Sequence, residues 1–271
     1  MSIANYPPPV DKLLTFGDCS HSPTWPNYLA LGLGPEEHIP DLIRMATDEE
    51  LNQAASDSLE VWAPVHAWRA LGQLRAEAAI EPLLSLFRRI DENEDDWVDG
   101  QLPEVYGMIG PAAIPALTAY LADTSHGLDA RIAAASSLKQ IGEMHPGARA
   151  ECVATLARQL ERFAKQDPTL NAFLVGSLLD LEATEVAPLI ERAFAADRID
   201  ESVAGDWEDV QIALGLKEHR ERPPSYGGIP PLFSRSPGEQ GDLPTHKRSS
   251  KAKAKAKRKQ EKKSRRKNRK R

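Results

Sequence analysis

Gly107-Met-Ile-Gly-Pro-Ala-Ala-Ile-Pro-Ala-Leu117 decides the fold of this 271-residue chain, because its pattern recurs. An apolar residue followed three positions later by leucine appears at Ile39/Leu42, Ile80/Leu83, Ile114/Leu117, Val153/Leu156 and Val186/Leu189. The successive spacings of 41, 34, 39 and 33 residues fall in the period of helical-repeat solenoids, where each unit buries its apolar face only against its neighbours. The pattern predicts an all-α solenoid of about five helix pairs.

Each marker pair reads as the start of a second helix, reached by a short turn from a first. Ala70-Leu-Gly-Gln-Leu74 leads to Ile80, Val105-Tyr-Gly107 to Ile114, and Leu138-Lys-Gln-Ile-Gly142 to Val153. The glycines are expected just past the first helices, where a left-handed cap suits a residue without Cβ. Pro40, Pro82, Pro115 and Pro188 fall near second-helix starts, where a missing N–H deprives no helical partner. Val65, Trp68 and Leu71 share one helical stripe, and Leu83, Leu84 and Phe87 another. Asp206 is the expected N-cap of a last helix from Trp207, which closes the stack.

With those joins in view, the chain resembles the HEAT-like repeats of the phycobilisome-lyase type. Residues 103–121 carry the resemblance best, and Asp129-Ala-Arg-Ile-Ala-Ala-Ala-Ser-Ser-Leu138 is similar to the family's first helix, with Arg131 at its usual basic position. The resemblance implies fold over about 190 residues, roughly 27–217. It leaves function open, since such repeats serve chromophore lyases, a hydroxylase, DNA glycosylases and plain scaffolds. Some bacterial members end in a cysteine-containing zinc motif. No cysteine follows Cys152 here, so that site is not carried over.

Composition agrees with helices. Apolar residues make up 41% of the chain and aromatics only 6%, with alanine and leucine prominent. Cys19 and Cys152 lie far apart without metal or redox spacing. The opening MSIANYPPPVDKLL lacks a basic region followed by an apolar run, and no stretch approaches 18 apolar residues. Neither a leader nor a membrane span is expected, and a cytoplasmic location follows.

The net charge of −6 conceals a partition. Of the 34 basic residues, 16 lie in 247–271 beside one acid, Glu261, so this segment carries +15. Residues 1–246 keep 18 basic and 39 acidic residues, a net of −21. Four divisions result: a proline-rich extended start (1–26), the repeats (27–217), a proline- and glycine-rich flexible linker (218–246) and a disordered basic tail (247–271).

Candidate chemistry is sparse. The HEAT-like hydroxylase holds its di-iron centre through His-Glu pairs, and no His-Glu dipeptide occurs here. The acidic run Asp91-Glu-Asn-Glu-Asp-Asp-Trp-Val-Asp99 fits a calcium loop at positions one, three and five. It has Asp96 where the turn needs glycine, and Leu102 where a bidentate glutamate belongs. No metal or cofactor is expected. The run reads as a solvated loop, or as a docking spot for a basic segment through Asp95, Asp96 and Asp99. His66, Arg69 and Gln73 fall on one helical stripe at i, i+3 and i+7, which reads either as a polar outer face or as a ligand-contacting pair, His66 and Arg69. Cys152 lies near a helix start, where its pKa could fall, although a structural role is favoured.

The tail supplies the partner expectation. Lys247, Arg248, Lys251, Lys253, Lys255, Lys257, Arg258, Lys259, Lys262, Lys263, Arg265, Arg266, Lys267, Arg269, Lys270 and Arg271 form a polycation without an aromatic residue. Such a segment contacts phosphates without stacking on bases or reading sequence. The expected function is a non-catalytic repeat scaffold that binds a protein partner, attached to RNA or DNA through its tail. The alternative is a lyase- or glycosylase-like protein with a site on the concave surface, against which a body carrying −21 would repel a duplex.

Overall fold

The computed structural model describes residues 5–19, 24–34 and 36–225. Residues 226–271, including every tail contact expected above and most of the linker, lie outside the described residues. Among those described the structure is helical, with no strand.

The helices alternate between two layers. The first layer holds α3 (Ala63–Gln73), α6 (Asp96–Ile109), α8 (Leu128–Met144) and α10 (Pro168–Asp180), each packed on the next. The second holds α1 (Ile39–Ala46), α4 (Ile80–Leu84), α7 (Ile114–Ala122), α9 (Arg149–Leu160) and α11 (Ala187–Ala195), whose neighbours also touch in order. Between them lie the short α2 (Glu49–Asn52) and α5 (Arg88–Asn93). The described residues therefore form an α-solenoid of stacked helix pairs. No single helix among the described residues is long and apolar enough to cross a membrane.

Each second helix from α4 onward follows a 3-10 turn, so the structural joins fall at Ile80, Ile114, Arg149 and Ala187, separated by 34, 35 and 38 residues. The marker pairs at Ile80 and Ile114 are in register with these joins. In the fourth the true pair is Arg149/Cys152, one helical turn before Val153/Leu156, and in the fifth it is Ala187/Ile190 rather than Val186/Leu189. Cys152 thus occupies the slot of Leu83, Leu117 and Ile190, all fully buried. Burial, with Glu151 nearby, pushes its thiol up to about 11, the reverse of a helix-start activation.

The repeat glycines also differ from expectation. Gly72, Gly107 and Gly142 lie inside α3, α6 and α8 rather than past their ends. They allow close helix approach. A Cβ on Gly107 would stand 2.9 Å from Met144 Sδ and 3.0 Å from Gln140 Cβ, and one on Gly142 would stand 2.7 Å from Leu181 Cδ2. The positive-φ residues after these helices lie elsewhere: Gly110 (φ +95°) after α6, and the left-handed Arg75 and Glu182 after α3 and α10. At those two ends the residue after the cap bonds back five positions (Ala76 N–H to Leu71 O, Ala183 N–H to Leu178 O), closing Schellman turns. One non-glycine residue in that region costs only about 1–2 kcal/mol, which two backbone bonds offset.

Both ends of the stack are covered. At the start, Val10–Thr15 forms a 3-10 helix, burying Val10 and Leu13 against α3 and the turn Glu60–Trp62. The first pair is incomplete, because its first member is only the turn Leu29–Leu31. At the far end, α12 (Glu201–Ala204) packs on α10 and α13 (Trp207–Ala213) on α11. Asp206 caps α13 by accepting from Glu208 N–H and Asp209 N–H, and Asp209 returns the bond in a capping box. The following residues fold back: Arg220 pairs with Asp206 and Asp209, and Lys217 with Glu208. The start of the expected linker is therefore fastened to α13.

Candidate functional site

Two groups stood out in the sequence: the His66–Arg69–Gln73 stripe of α3 and the acidic run at 91–99. A helix puts residues three and seven apart on one face, so the stripe forms as expected. Its surroundings do not match a polar outer face. His66 and Arg69 are each 2% exposed, because residues 16–19 and 24–28 lie across them.

Each stripe residue fastens part of that covering segment. The Gly17 carbonyl is a pure acceptor 2.9 Å from His66 Nε2, so Nε2 carries the proton. Nδ1 is left as acceptor for the Tyr28 hydroxyl at 2.7 Å. Both ring nitrogens are satisfied in one neutral tautomer, with Phe16 edge-on at 5.2 Å. Burial lowers the His66 pKa first; the Gly17 bond opposes this and Arg69 adds to it. Gln73 donates to Pro26 O at 2.8 Å and accepts from Tyr28 N–H at 2.9 Å. Trp68, on the opposite face, is core and donates to Ala46 O at 2.8 Å.

Arg69 is less completely matched. Its Nε donates to Gln101 Oε1 on α6 at 2.8 Å, and its guanidinium lies 5.0 Å from the Trp25 ring centroid. Nη1 is buried without a hydrogen-bond partner among the described residues. Nearby Glu104 has its pKa raised by burial, with Arg69 opposing the shift. Neither side chain lies on an outer face: both are buried and pin the N-terminal segment to α3. Sequence reasoning missed their partners, Gly17, Trp25 and Tyr28, because no local signal links positions 38–49 residues apart.

The acidic run is divided between folding and surface. Asp95 is the N-cap of α6, accepting from Trp97 N–H and Val98 N–H, and it also pairs with buried Arg89 at 2.6 Å. Asp91 reaches across to α8, whose own N-cap, Gly127, has no side chain to offer. Its oxygens accept from Asp129 N–H at 3.0 Å and Ala130 N–H at 3.1 Å. A Cβ on Gly127 would lie 2.2 Å from that carboxylate, so glycine there makes room for the cap. Asp96 and Asp99 are exposed in the first turn of α6, where carboxylates suit the helix dipole. Among the described residues no three His, Cys, Asp or Glu side chains gather in a metal-holding arrangement.

Residues 66–89 match the family model for the PBS lyase HEAT-like repeat. The matched stretch runs from α3 across its turn into α4 and α5, one complete join. Nothing among curated proteins or solved structures matches the chain.

Proposed function

Taking the chain as a HEAT-like repeat protein, we propose that its body is a scaffold for a protein partner and that its polybasic tail attaches it to RNA or DNA. The charge partition carries this reading: −21 over residues 1–246 against +15 over the last 25. Such a tail binds the phosphate backbone by releasing counterions, whatever the sequence. The non-catalytic part is supported by the fate of the reactive-looking residues. His66, Arg69, Asp91 and Asp95 hold segments and cap helices. HEAT-like repeats suit a scaffold or protein-interaction role, because a stack of helix pairs presents extended surfaces.

The test compares the full chain with one ending at His246 in binding to single- and double-stranded nucleic acid across a salt series. Ten phosphate contacts would give a log–log salt slope of roughly −7 to −9. The shortened chain should lose that binding while the repeats unfold at the same midpoint. Equal binding by both chains, or binding indifferent to salt, would remove the tail from the function.

A further inference from the structure

A groove of about 430 Å³ opens on the edge of the solenoid where α3, α6 and α8 end. Trp25 and Leu29 from the N-terminal segment stand at one end, and Met108 and Met144 at the other. Leu29 is 47% and Met144 41% exposed, unusual for large apolar side chains in this body. Apolar side chains facing into a shared concavity mark a binding surface more often than scattered ones do. Flexible thioethers let such a surface adapt to its occupant.

The repeat pattern builds the floor. Gly72 and Gly107 line the groove with backbone, and the thioethers of Met108 and Met144 lie directly over them. Cβ atoms there would stand 3.3 and 2.9 Å from the two sulfurs and would push both into the opening. One repeat further along, the corresponding contact on Gly142 comes from Leu181, which is buried.

The electrostatics point to the kind of occupant. Among the described residues no carboxylate lines the groove, although acids outnumber bases 39 to 18 in residues 1–246. Arg75 stands exposed at its rim, held there by the left-handed turn after α3. The helix ends leave few acceptors. Leu71 O and Gly72 O bond the N–H groups of Ala76 and Arg75, Tyr106 O that of Gly110, and Gly107 O the His145 ring. Below Trp25, Arg69 adds positive charge, part of which Glu104 balances. Among the described residues Arg75 is thus the Lys or Arg that lines the groove.

We propose that this groove is the body's peptide-docking site, taking a segment that places an apolar side chain beside a carboxylate. The apolar side chain lies between Met108 and Met144 over the Gly107 backbone, with Trp25 and Leu29 closing the end, and the carboxylate pairs with Arg75. This rests on the reading that the body binds a protein partner, and it names where and by what chemistry.

The test pans a display library of random 12-residue peptides on the full chain. The library is first depleted on a synthetic 247–271 peptide, so that acidic sequences captured by the tail are removed. Enriched peptides should carry Leu, Ile, Met or Phe within three residues of Asp or Glu. A synthetic member should bind at least tenfold more weakly to Arg75→Glu and to Met144→Glu. Both positions are exposed, and Glu182 already adopts the backbone conformation of Arg75, so both variants should keep the parent unfolding midpoint. Enrichment of basic peptides, or no enrichment, overturns the proposal. Peptides that bind both variants as tightly as the parent also overturn it, while leaving the protein-binding reading of the body in place.

Discussion

Two glycine-to-alanine changes in one helix separate backbone propensity from packing. Gly100 and Gly107 both lie inside α6. Alanine gains about 0.8–1.0 kcal/mol of helix propensity over glycine at either position. At Gly100 a new Cβ meets nothing within 4 Å, so Gly100→Ala should stabilise the protein by nearly that amount. At Gly107 it meets Met144 Sδ at 2.9 Å and Gln140 Cβ at 3.0 Å. The exposed thioether can swing aside, but Gln140 Cβ is fixed to α8 and moves only if the two helices part. Overpacking of this kind costs about 1–3 kcal/mol, which leaves Gly107→Ala between neutral and about 2 kcal/mol less stable. Because the propensity gain is common to both variants, their difference, about 1–3 kcal/mol, is the packing cost alone. Urea unfolding followed by circular dichroism at fixed temperature measures it. If Gly107→Ala stabilised the protein as much as Gly100→Ala, the close α6–α8 approach would not be the reason for glycine there.

The other two predictions concern the pins and the cross-helix cap. His66→Leu strands the Tyr28 hydroxyl and the Gly17 carbonyl and should cost about 2–6 kcal/mol, at about 1–3 kcal/mol per buried unsatisfied group. Because the folded pKa of His66 is lowered, the unfolded chain takes up that proton first. Its contribution is therefore complete above the unfolded value of about 6.5 and is lost as pH falls toward the folded one, by up to about 1.4 kcal/mol per pH unit. The stability-against-pH slope below 6.5 should flatten in His66→Leu; an unchanged slope would clear His66 of that role. Asp91→Ala should cost about 1–2 kcal/mol as a lost N-cap, and Gly127→Ala should be damaging because its Cβ displaces the same carboxylate. Unfolding of the double variant should show the two effects to be far from additive; additivity would mean that the glycine serves another purpose.

The helices were more legible in the sequence than their joins. An apolar pair at i, i+3 recurs every turn of an amphipathic helix, so the pattern finds the right helix without fixing the right turn. In α9 Arg149 holds the join position, and the eye passes on to Val153. Glycine near a helix end is ambiguous for a related reason, since both a left-handed cap and a close helix contact demand it. Only the neighbouring helix, with Gln140 against Gly107, distinguishes them. The α3 stripe failed differently. Its spacing was right, but burial was decided by residues 16–19 and 24–28, whose partners on α3 lie 38–49 residues away. The acids of 91–99 were legible as a cluster and not as caps, because the α8 end that Asp91 serves is 38 residues away in the chain.

The pinning of Gly17, Trp25 and Tyr28 onto α3 also sets an order in time. His66 lies 49 residues after Gly17 and 38 after Tyr28. Synthesised at about 5–20 residues per second, the N-terminal segment waits roughly 2–10 s for its partner to be made. The helix pairs that follow close over a similar span, His145 meeting Gly107 and Asp91 meeting Asp129 each across 38 residues. Until the segment docks, the stack presents His66 and Arg69 at an open end.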